Sequence, residues 1–176
     1  PRPMSFSALP RQADLRKLAA ASATVEGSVW LRELSRLQSV LMQTEGSVNV
    51  TLKLSADDEG YRTVKGRIAA RAVLQCQRCL GPVELDLDVP VMLAMVWAEK
   101  EIPSLPSRYD GIVVGADPVD VFELVEEEVL LALPLVAAHE PGSCPSYSET
   151  PDIEASVPGK KNPFAVLREK GVESGD

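Results

Sequence analysis

The chain has three cysteines and one histidine, and they fall in two short clusters, Cys76-Gln77-Arg78-Cys79 and His139-Glu140-Pro141-Gly142-Ser143-Cys144. Thiolate and imidazole are the donors zinc prefers. Cys-x-x-Cys is a common half-site, and a histidine and a cysteine on one short loop would complete a tetrahedral set. Fifty-nine residues separate Cys79 from His139, so the site exists only if the fold joins the two loops. Two other readings stay open. Reduced cysteines are frequent small core residues, with the histidine then a surface side chain. A redox dithiol would want a helix N-terminus to lower a thiol pKa, whereas this motif leads from one extended segment into another. The expectation is one structural zinc held by Cys76, Cys79, His139 and Cys144, its coordination sphere filled and closed to substrate.

Other catalytic chemistry is sparse. With its one histidine in the proposed metal cluster, the chain offers no Ser-His-Asp or Cys-His arrangement, and it has no Gly-rich phosphate loop and no His-Glu-x-x-His. The expectation is a protein that is not an enzyme and has no small-molecule substrate. A metal-dependent nuclease built on scattered carboxylates is the catalytic alternative.

Composition bounds the partners. The chain has 176 residues, 45% of them hydrophobic, enough for one core. Its 18 basic and 26 acidic side chains leave a net charge of −8, which repels a nucleic-acid backbone at long range and favours basic partners. Three cysteines cannot pair fully, and no apolar h-region follows the short basic opening, so a cytoplasmic rather than secreted protein is expected. The longest apolar stretch, Val129 to Ala138, contains Pro134 and is about half of the ~20 residues a membrane span needs.

The elements that must position these groups show in the periodicity. Residues 11 to 21 are good helix formers with Leu15, Leu18 and Ala19 at helical spacing. Residues 24 to 30 read as extended, and Leu31, Leu34, Leu37, Val40 and Leu41 mark an amphipathic helix. From Ser47 the period becomes two, with Val48, Val50, Leu52 and Leu54 on one face. A polar turn at 57 to 60 leads to a second strand, 61 to 74, with Val64, Ile68, Ala70, Ala72 and Leu74 inward and Lys65, Arg67 and Arg71 outward. A third strand puts an apolar residue at every odd position from Val83 to Trp97; Pro90 marks it as an edge, bulged or broken there. The segment 99 to 108 reads as a loop and Tyr109 to Val114 as a short strand. Asp117-Pro118 predicts a helix entry, with the helix running to Leu133 and stopped by Pro134. Within it, Glu126-Glu127-Glu128 cannot all face away from the core, and Glu128 is the one crowded towards the Val121, Leu124, Val125, Val129, Ala132 stripe, either partly buried and paired with a basic group or, the favoured reading, at the stripe's edge and reaching water. The predicted architecture is α+β: a curled antiparallel β-meander with helices packed on one face.

A single domain is expected over 1–144. Residues 145–176 read as a flexible linker and tail, Pro-rich and polar, ending in Asn162-Pro163-Phe164-Ala165-Val166-Leu167. Asn162 suits an N-cap, and Phe164 and Leu167 share a face, which makes this a short docking plug.

Three segments together resemble one family: Cys76-Gln77-Arg78-Cys79, the run from Glu126 to Pro134 followed by His139 and Cys144, and the 162–167 motif. They look like the bacterial YceD family of large ribosomal RNA subunit accumulation proteins, with the resemblance running from about Trp30 to Leu167. It implies a role in synthesis, processing or stability of 23S ribosomal RNA and supplies no catalytic residue. Two mechanisms are compatible with it. In the favoured one, an acidic adaptor engages a ribosomal protein or large-subunit assembly factor, with Glu126, Glu127, Glu128, Phe164 and Leu167 as candidate contacts. In the other, Lys65, Arg67, Arg71 and Arg78, extended by Lys160 and Lys161, contact 23S rRNA directly. The plain alternative for that basic face is a solvated surface opposite Glu84 and Asp86.

Overall fold

The structure is a computed structural model that describes residues 7–144. The predicted tail, including Lys160, Lys161, Phe164 and Leu167, lies outside the described residues. In chain order come β1 (Gln12–Ala13), α1 (Leu15–Ala20), β2 (Thr24–Trp30), α2 (Ser35–Gln38), β3 (Ser47–Ala56), β4 (Arg62–Gln75), β5 (Pro82–Val96), β6 (Asp110–Val113), β7 (Val119–Asp120) and α3 (Val121–Ala132). The fold is α+β, as the periodicities predict. A five-stranded sheet has the order β2-β3-β4-β5-β6, and β1 pairs with β7 in a two-stranded sheet.

Alternation sets which face is buried. The register places Val50 opposite Ile68 and Val64 opposite Leu93. Even positions of β3 and β4 and odd positions of β5 therefore share the face on which α1 and α3 pack. Val48, Val64 and Ile68 are fully buried there. At Gly66 the strands approach so closely that a Cβ would stand 2.0 Å from the Thr51 carbonyl oxygen, so this position accepts no side chain.

The meander is antiparallel through β5, but β6 joins it in parallel, pairing only with Leu93–Val96. Residues 97 to 109 carry the chain back along the sheet, partly as a 3-10 turn at Glu99–Ser104 where a loop was predicted. Among the described residues, the first part of β5, containing Pro90, has β4 as its only ladder partner, which satisfies the edge expected for that proline.

Two helices differ from the sequence reading. The predicted 31–41 helix is a 3-10 turn at Leu31–Glu33 followed by the single turn of α2, with Leu34 between them at φ −104, ψ 91. The kink still buries Leu31, Leu34 and Leu37, while Val40 is 46% exposed. It is possible because a carboxylate from α3 supplies the missing cap, as described below. At α3 the entry is Asp120 instead of Asp117-Pro118: its Oδ1 accepts the N–H groups of Phe122 at 2.9 Å and Glu123 at 3.2 Å. Residues 119 and 120 remain extended because they pair with Gln12 and Ala13, a contact across more than a hundred residues. The first predicted helix is likewise shorter, since β1 occupies its start and Asp14 caps α1.

Candidate metal centre and the surfaces around it

β4 ends at Gln75 and β5 begins at Pro82, so the Cys-x-x-Cys motif is the hairpin turn between them. Leu80 takes φ 61, a left-handed position that closes the knuckle, and the Cys76 N–H donates to the Gly81 carbonyl at 2.8 Å. The second loop arrives after α3, where Pro134 stops the helix. The Gln77 N–H donates to the Ala137 carbonyl at 2.8 Å, and the Arg78 guanidinium donates to the carbonyls of His139 and Glu140. These bonds join the two loops.

Four donors converge as a result. One atom each from Cys76, Cys79, His139 and Cys144 lie within 4.8 Å of one another. Cys76 Sγ is 3.8 Å from Cys144 Sγ, and His139 Nδ1 is 3.4 Å from Cys79 Sγ and 3.7 Å from Cys144 Sγ. Tetrahedral zinc, with bonds of about 2.3 Å to sulfur and about 2.0 Å to nitrogen, would place S···S near about 3.8 Å and S···N near about 3.6 Å. The set fits such an ion. His139 Nε2 lies 2.9 Å from the Pro82 carbonyl, which can only accept; Nε2 therefore carries a proton, and Nδ1 is the ring nitrogen turned towards the sulfurs.

Electrostatics agree with a cation there. Backbone N–H of Cys79 is the main influence drawing the Cys76 thiol down to about 5; burial opposes it, and the N–H groups of Arg78 and His139 assist. Cys144 is pushed up to about 11, by burial first and then by its hydrogen bonds with Cys76 and Cys79. A thiolate crowded by further sulfurs is stabilised by a divalent ion, which lowers the pKa of every thiol it binds. The three cysteines are free of disulfides. Beneath the cluster, Leu74, Cys76, Val83 and Ala137 form a small core of their own.

The basic strand face is neutralised by its neighbours. Arg67 pairs with Asp88 at 3.0 Å, and Arg71 with Glu84 and, at 3.9 Å, Asp86. Lys65 is only half-exposed, its Nζ 5.0 Å from the centroid of the Tyr109 ring, so the three cations do not all point freely to solvent. The period-two argument placed them on one face correctly; the β5 register supplied their partners.

The acidic helix also departs from expectation. Glu126, which the projection did not single out, is the buried member, at 4% exposure. Its Oε1 accepts the N–H of Arg36 at 2.7 Å and of Leu37 at 3.1 Å, capping α2. Glu126 is therefore unavailable to a partner. Glu127 is exposed and pairs with Arg36. Glu128 is half-buried, and desolvation, with help from Asp110 and Glu127, raises its pKa above the usual carboxylate value. A single-helix projection missed this because α3 packs on α2 at its flank as well as on the sheet.

Residues 64–169 match the family described as large ribosomal RNA subunit accumulation protein YceD. The chain belongs to this family. It is 29% identical over 164 residues to the Haemophilus influenzae large ribosomal RNA subunit accumulation protein YceD, covering 90% of this chain and 94% of that protein. No solved structure matches it. All four clustered donors fall within the residues matched to the YceD family.

A feature without a motif in the sequence lies next to the cluster. The end of α3 and the loop after it expose Leu131, Leu135 and Val136, the second of these fully. Beside them is a groove of about 450 Å³ lined by Val40, Leu74, Gln75, Gln77, Leu130, Leu133, Pro134, Leu135 and Ala137. The alternating strand and helix patterns gave no sign of it, because the groove is assembled from the end of α3 and the loop after it, the end of β4 and the chain just after α2. No helix among the described residues is long and apolar enough to cross a membrane.

Proposed function

We propose that the protein is a non-catalytic factor in large-subunit ribosomal RNA accumulation, acting in the cytoplasm as an acidic adaptor for a ribosomal protein or large-subunit assembly factor. The observation that carries this reading is the exposed apolar cluster of Leu131, Leu135 and Val136 beside the apolar groove. Contiguous exposed apolar surface of this kind marks protein docking sites. The −8 net charge of the chain favours a basic partner around it. A structural zinc on Cys76, Cys79, His139 and Cys144 would fix the 137–144 loop against the β4–β5 hairpin. Four protein donors fill its sphere, so its part is to hold shape, with no position left for substrate. The tail plug, Phe164 and Leu167, is a second contact in this proposal.

Direct 23S rRNA binding through Lys65, Arg67 and Arg71 draws less support, since Asp88, Glu84 and Asp86 already answer the two arginines. Against a nuclease, the carboxylates of the described residues form no group of three or more within reach of a single ion. The test is capture on the full-length protein with and without ribonuclease, with partners identified by mass spectrometry. Retention of one ribosomal protein or assembly factor after ribonuclease, and its loss in Leu135→Asp with an unchanged melting temperature, are the expected results. Loss of every partner on ribonuclease treatment, or equal capture by the variant, would overturn the adaptor reading.

A further inference from the structure

The end of the sheet opposite the metal cluster carries a different chemistry. Arg62 opens β4, thirteen residues before Gln75, which at about 3.3 Å per residue puts it about 40 Å from the hairpin turn. Trp97 follows β5, and α1 brings Arg16 and Lys17 to the same place. Two adjoining cavities share Arg16 and Arg62: one of about 30 Å³ also lined by Trp97, the other of about 270 Å³ also lined by Lys17. The Arg16 guanidinium sits 4.9 Å from the Trp97 ring centroid and donates to the Ala116 carbonyl at 3.1 Å, which fixes it over the indole. Trp97 is nevertheless 61% exposed.

The charge at this end is not balanced as it is elsewhere. Arg11, Arg36, Arg67, Arg71 and Arg108 all have carboxylate partners. Arg78 serves the metal loop and Arg32 stacks on Trp30. Among the described residues, Arg16 and Arg62 sit together with no carboxylate at ion-pair distance. The acids nearby are engaged: Asp14, which lines the larger cavity and also acts electrostatically on Arg16, caps α1 and pairs with Lys17 at 3.3 Å, and Glu101 accepts the backbone N–H of Trp97 at 3.2 Å.

Guanidinium groups without a carboxylate at ion-pair distance, beside an indole that is still largely exposed, match single-stranded nucleic acid, whose phosphates take the cations and whose bases stack on the ring. We infer that Arg16, Arg62 and Trp97, with Lys17 at the rim, form a contact surface for single-stranded RNA. An acidic peptide would answer the charge but leave the exposed surface of the indole uncovered. The choice of RNA over DNA rests on the role proposed above; the surface itself rests on its own geometry and lies away from the apolar groove. A net acidic chain binds a polyanion only where its charge is segregated, and at this end Arg16 and Arg62 stand together without an ion-paired carboxylate.

The test uses the full chain carrying Trp30→Phe, so that Trp97 is the sole indole, and an oligoriboadenylate of about twelve nucleotides. Saturable quenching of Trp97 fluorescence is expected, with affinity falling as salt rises. Trp97→Ala, followed by anisotropy, should weaken binding about tenfold. Arg16→Gln with Arg62→Gln should weaken it and reduce the salt slope by about 1.4, at about 0.7 per phosphate contact. Lys53→Gln, on the other face, should change little, and Leu135→Asp should bind RNA normally even if it loses its protein partner. Absence of binding at low salt would overturn the inference, as would unaltered affinity in the Trp97 or double-arginine variants. So would inorganic polyphosphate competing as well as RNA while Trp97→Ala has no effect.

Discussion

Replacing Glu126 by alanine removes the acceptor on which α2 depends. Leu34, the residue before that helix, gives no side-chain cap, so the N–H groups of Arg36 and Leu37 rely on one oxygen, Glu126 Oε1. Hydrogen bonds to an ionised group contribute about 1.5–3 kcal/mol each, and orphaned buried donors add a desolvation cost. Water opposes part of this loss. A polar cavity of about 400 Å³ lined by Arg11, Ser35, Arg36 and Glu126 adjoins the site, and a water there could answer the Arg36 N–H. Leu37 is fully buried, so its N–H is the harder one to rescue. The sum is a destabilisation of about 3–5 kcal/mol, or about 6–20 °C in Tm for a domain of this size. Glu126→Gln keeps an oxygen where Oε1 stands and should cost only about 1 kcal/mol. Urea and thermal unfolding of the two variants, with the m-value held constant, measure the difference. If alanine costs no more than glutamine, or both lie within about 1 kcal/mol of wild type, the remote cap does not hold α2 and the reasoning fails.

Protein purified without chelator should contain zinc near one per chain by elemental analysis, and Cys79→Ser should lower that content. The cluster ties Cys76 to Cys144 across 68 residues; if loop entropy acts as it does for a disulfide, metal removal costs about 4 kcal/mol, or about 8–16 °C in Tm. Metal-free protein that melts at the same temperature would dismiss the structural zinc. Glu128 has a folded-state pKa above its unfolded value, so its favourable contribution is complete below the unfolded pKa and is lost as pH rises through the folded one. Glu128→Gln should therefore stabilise the protein at neutral pH, with the gain fading as pH falls to about 4; a Tm profile between acid and neutral pH in which the gain persists unchanged would contradict this.

The strand faces were legible because side-chain alternation is local: Val48 to Leu54 and Val64 to Leu74 announce their own orientation. The identity of the four donors was legible too, since thiols and imidazoles are so few here. Their meeting was not, for it depends on Pro134 ending α3 and on the Gln77–Ala137 hydrogen bond closing a gap of 59 residues. The parallel placement of β6 and the start of α3 were decided by pairing with distant strands, which no local pattern records. The burial of Glu126 was hidden for the same reason. Helical spacing orders residues around one axis, while burial depends on how many neighbours that helix has. The basic face shows the division most directly: the sequence placed Lys65, Arg67 and Arg71 together, and the β5 register set Asp88, Glu84 and Asp86 against the arginines. A charge's direction is fixed by its own backbone, but its partner is fixed by whatever the rest of the chain folds beside it.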